Sequence, residues 1–100
     1  MSEPHVEVTS QLIERYFSLT TAARDKATPL HPPDTPEGVR LATMMEMADS
    51  YTSDAKWFVD QGDLVRAFGA INYAHAWIDC AVNSCYDLCC FRWFEICCLC

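Results

Sequence analysis

The tripeptide Gln61-Gly62-Asp63 constrains this chain more than any other stretch. It separates two long runs in which apolar residues recur every three or four positions. Such spacing is the mark of amphipathic helices. Gly can take the left-handed conformation that closes a helix, and Asp is a strong N-cap. The corner is therefore read as the end of one helix and the start of the next. A corner this short folds its two helices antiparallel.

Before the corner, Leu41, Met44, Met45, Ala48, Tyr51, Ala55, Phe58 and Val59 form one stripe, with Glu46, Asp49, Ser53, Lys56 and Asp60 opposite. Thr35-Pro36-Glu37 opens this second helix as N-cap, first helical residue and first-turn acid. It is expected to run to about Gln61. After the corner, Leu64, Ala67, Phe68, Ile71, Ala74, Ile78 and Val82 mark the buried face of a third helix. Gly69 lies inside that helix, where it costs roughly 1 kcal/mol relative to Ala; a close helix approach is the expected reason. Upstream, Leu12, Ile13, Tyr16, Phe17, Leu19, Thr20 and Ala23 predict a first helix from about Val8 to Ala27. The four prolines of TPLHPPDTP, residues 28–36, make a linker. No stretch alternates at period two for long enough to be read as a strand. The expectation is an all-α, up-and-down three-helix bundle, with a long antiparallel hairpin of helices two and three.

One hundred residues suit one domain with one modest core. The net charge of −7, with only seven Lys and Arg, disfavours nucleic acid and anionic membrane surfaces as partners. The start, MSEPHVEVTS, has neither the basic nor the apolar region of a signal peptide. No window offers about 18 uninterrupted apolar residues. A cytoplasmic protein is the expectation.

The stretch MADSYTSDAKWFVDQGDLVRAFGAINYAHAWIDCAV, residues 47–82, resembles an archaeal family catalogued as domain of unknown function 357. Tyr51, Asp54, Ala55, Phe58, Gly62-Asp63, Ala67-Phe68, Ile71-Asn72-Tyr73-Ala74, Trp77 and Asp79 carry the resemblance, which spans about residues 9–83. Gly62, Asp63, Tyr51 and Asp54 are taken as structural positions. The resemblance implies a small helical bundle and supplies no catalytic residues and no cofactor.

Residues 1–83 are thus read as the bundle domain, and residues 84–100, SCYDLCCFRWFEICCLC, as an atypical tail. All seven cysteines fall in the last 21 residues, from Cys80 to Cys100. A shifted reading frame or a lineage-specific tail would each give this composition. The spacing of Cys85, Leu88, Cys89, Arg92, Ile96 and Leu99 allows an extension of the third helix. Cys85 and Cys89 supply half of a zinc pattern whose other half is malformed. Free thiols are the preferred reading, and no metal is assigned.

The chemical candidates are few. Asn72, His75 and Asp79 lie one helical turn apart, a spacing that suits a general base oriented by a carboxylate. A small-molecule or metal-dependent enzyme built on them is the alternative function, with Tyr51 and Asp54 approaching from helix two. The competing reading is a packed His satisfied by polar neighbours. It is preferred because no nucleophile or third ligand accompanies the group. Arg66 and His75 face opposite sides of the helix, which argues against a small helical ribonuclease. Trp57, Tyr73 and Trp77 fall off the buried stripes; large outward aromatics either form an interaction surface or are covered by the N-terminal segment or the tail. The sequence therefore favours a non-enzymatic module acting through a protein partner or through its own copies.

Overall fold

The computed structural model describes residues 5–82 and the short strand Cys89–Phe91. Among the described residues the chain forms helices α1 (Ser10–Lys26), α2 (Pro36–Asp60) and α3 (Leu64–Val82). Strand β1 (Ala27–Pro29) pairs antiparallel with β2 (Cys89–Phe91), Thr28 opposite Cys90. The protein is an all-α bundle in which α2 and α3 pack closely as a hairpin. α1 lies chiefly against α3.

Each described helix start has a side-chain cap. Thr9 Oγ1 accepts from the Leu12 amide at 3.1 Å, and Thr35 Oγ1 accepts from the Gly38 amide at 3.1 Å. Asp63 Oδ1 accepts from the Arg66 amide at 3.1 Å. These bonds satisfy amides that have no partner within the helix. At the corner Gly62 has φ 77°. Its amide donates to the Val59 carbonyl, and the Asp63 amide donates to the Phe58 carbonyl, both at 2.9 Å. This is the Schellman arrangement, which closes α2 and hands the chain to α3 without an intervening loop.

The seam between α2 and α3 is made of alanines. Ala48 and Ala55 are seven residues apart, as are Ala67, Ala74 and Ala81, and each is at most 1% exposed. Small side chains at heptad spacing keep one face of each helix narrow, so the backbones lie close. Larger groups fill the two ends. Ala23, Leu41, Met45, Ile78 and Val82 pack at one end, while Ile71 gathers Tyr16, Phe17, Tyr51 and Phe58 at the other.

Four expectations need correction. Gly69 is exposed, and a Cβ built on it would meet no atom within 4 Å, so no neighbouring helix requires it. The close approach occurs at Gly38, where a Cβ would collide with the Pro32 carbonyl oxygen. Leu19 and Val59 belong to the expected stripes but are exposed, because each lies at the edge of its apolar arc. Finally, α3 ends at Val82 and Cys89–Phe91 is a strand, so the expected helical extension does not run through that stretch. Residues 27–29 leave the helix with extended backbone, and that edge supplies the ladder partner for 89–91. The remainder of residues 84–100 lies outside the described residues.

Candidate functional site

His75 projects from α3 toward α1. Its Nδ1 lies 3.0 Å from Oγ1 of Thr20, which is only 3% exposed. Its Nε2 stands 3.7 Å from Asp79 Oδ1, one turn further along α3 and half-exposed. That separation is too long for a hydrogen bond. Asn72 turns away and donates from Nδ2 to the Phe68 carbonyl of its own helix at 2.8 Å. Tyr51 and Asp54 do not join this group, since Tyr51 stacks on Tyr73 and Asp54 is exposed. What the arrangement provides is a polar tie between α1 and α3. Sequence reasoning named the histidine but not its partner, because Thr20 is 55 positions away.

A second tie joins α1 to α2. Arg24 donates from Nε and Nη2 to the two carboxylate oxygens of Asp49, at 3.2 and 3.4 Å. Both groups are well exposed, so the pair contributes at most about 1 kcal/mol.

The aromatic residues assemble differently. Tyr51 and Tyr73 each stand eleven positions from Gly62, on opposite sides of the corner. The hairpin brings them face to face, with ring centroids 5.2 Å apart and planes 28° apart. Tyr73 remains 62% exposed. Trp77 follows one turn later on α3, half-buried against the Leu41–Met45–Ile78 end of the core. Tyr51, Tyr73, Ala76, Trp77 and Cys80 line an open groove of about 390 Å³. The sequence read both Tyr73 and Trp77 as missing the core; Tyr73 is exposed, but Trp77 packs partly against the core, and the sequence did not reveal that Tyr51 completes their surface. Equal distance from Gly62 is the signal that could have done so. Trp57 is 59% exposed and packs edge-on against Phe58, apart from this groove.

A second apolar groove, of about 360 Å³, lies where α1 starts and α2 meets α3. Ile13, Phe17, Val59 and Leu64 form its apolar lining, with Ser10, Glu14, Lys56 and Asp60 also contributing. Neither groove is lined by His75. Among the described residues, no three His, Cys, Asp or Glu side chains are placed to share a metal ion. Cys85, and with it the Cys85–Cys89 pattern, lies outside those residues. No helix among the described residues is long and apolar enough to cross a membrane.

Over residues 15–84 the sequence matches the family described as Protein of unknown function (DUF357), and the chain belongs to that family. Comparison with curated proteins and with solved structures found no match.

Proposed function

We propose that this DUF357 protein is a non-enzymatic contact module whose working surface is the Tyr51–Tyr73–Trp77 groove. One observation carries the reading. A bundle of this size leaves a stacked tyrosine pair and a tryptophan on one face, with Tyr73 62% exposed. Water gains nothing from such a face, whereas a partner that covers it removes a large apolar area from solvent. Aromatic residues are enriched at the centres of protein interfaces for that reason. Tyr73 also anchors little of the core, so its removal separates binding from folding.

The test is selection of peptides from a random display library against the full-length chain in reducing buffer. Each selected peptide is then titrated against wild type and Tyr73→Ala. The proposal expects binders whose affinity falls at least about tenfold in the variant, in line with an interface hot spot. Binders that ignore Tyr73 and Trp77 would remove the basis of the assignment. Sedimentation of the same two proteins covers self-association. A concentration-dependent dimer lost in Tyr73→Ala would make a second copy the partner.

A further inference from the structure

Resting on the docking reading above, we infer that the occupant of the Tyr51–Tyr73–Trp77 groove is a basic polypeptide segment that lays an Arg or Lys side chain across these rings. The chemistry of the lining suits a cation. Tyr and Trp rings carry negative charge density on their faces, and a cation over such a face is attracted to it. Tyr51, Tyr73 and Trp77 supply three such rings in one groove, and among the described residues no Lys or Arg lines it. Ala76 and Cys80 are the other lining residues. Neither is bulky, and an Arg or Lys stem can lie along an apolar floor while its charged head stays wet.

The charge around the groove points the same way. Asp54 lies one turn from Tyr51 on α2, is exposed, and has no ion-pair partner among the described residues. Arg66 lies two turns from Tyr73 toward the corner, but its guanidinium is 3.4 Å from the Asp63 carboxylate. The exposed Asp54 carboxylate therefore favours an incoming cation beside Tyr51. The whole chain carries −7, so a second copy would bring like charge to this face while a basic segment brings the opposite. An apolar partner would use the rings but leave Asp54 unanswered.

The experiment titrates the full chain, under reducing conditions, with a short peptide of alternating Arg and Ala. A matched peptide replaces each Arg by citrulline, which keeps the shape and removes the charge. Nuclear magnetic resonance follows the Tyr73 and Trp77 signals in wild type and the Trp77 signal in Tyr73→Leu, a change that keeps apolar bulk and removes the ring. The expected result is saturable movement of both signals by the Arg peptide. Binding should be weakened about 5- to 30-fold by citrulline and similarly by Tyr73→Leu. Equal affinity for the two peptides would overturn the cation assignment and leave the docking surface standing. Binding of the Arg peptide that Tyr73→Leu does not weaken would overturn it too, as general attraction to an acidic protein. Failure of the Arg peptide to bind, while library-selected peptides still depend on Tyr73, would sink this inference alone.

Discussion

Three glycines divide cleanly by the reason each is glycine. Gly62 holds φ 77°, where a side chain is strained even though no atom stands within 4 Å. Gly38 has an ordinary helical position, but the Pro32 carbonyl occupies the space a Cβ needs. Thr35 locks that carbonyl in place, donating to it from Oγ1 at 2.7 Å and from its amide at 3.1 Å. Gly69 has neither constraint. The predicted stability changes therefore differ in sign. Gly38→Ala should destabilise by about 1–3 kcal/mol through overpacking, and Gly62→Val should also destabilise. Gly69→Ala should stabilise by roughly 1 kcal/mol through helix propensity. Urea denaturation midpoints of the three variants measure this directly. A destabilised Gly69→Ala would mean that the position is not an open helix surface. The buried Thr20 makes a further prediction at this scale. Thr20→Val keeps the shape and removes the partner of His75 Nδ1, so it should cost about 1 kcal/mol in the same assay. An unchanged midpoint would show that this tie contributes nothing.

At the scale of elements, the hairpin was legible because its signals are local. The cap residues Thr35 and Asp63, Pro36 and Gly62 all act within one turn of their own positions. The structure places them as the sequence implied. The N-cap Thr9 was missed because the apolar periodicity continues through Val8 and hides the boundary. The β1–β2 pairing was not legible, since three residues give too short a window to show alternation and their partners are far apart in sequence. The candidate site was half legible for the same reason. Periodicity marks Tyr73 as outward, but the stack on Tyr51 and the Thr20–His75 contact depend on how helices meet. The alanine seam carries the element-scale prediction. Ala74 is fully buried between the packed helices. Ala74→Leu should force α2 and α3 apart and destabilise by about 1–3 kcal/mol. A parent-like thermal midpoint would show that the seam has room to spare.

At the scale of the whole molecule, the core among the described residues runs from Ile13 to Val82. Of the tail, the described structure includes β2, which pairs with β1 and lies near α3 and α1. Deleting residues 84–100 is therefore expected to leave cooperative helical melting intact and to raise solubility, since it removes six of the seven cysteines and a run of apolar residues. Loss of cooperative melting would make the tail part of the fold. Among the apolar grooves of the acidic bundle that remains, two on different parts of its surface compete for the functional role. One is built on the Tyr51–Tyr73 stack, the other on Ile13, Phe17, Val59 and Leu64. The most direct measurement is the amide chemical-shift footprint of the tightest library-selected peptide on the full chain. The proposed function predicts that the largest changes gather at Tyr51, Tyr73, Ala76, Trp77 and Cys80. A footprint centred instead on Ile13, Phe17, Val59 and Leu64 would contradict it.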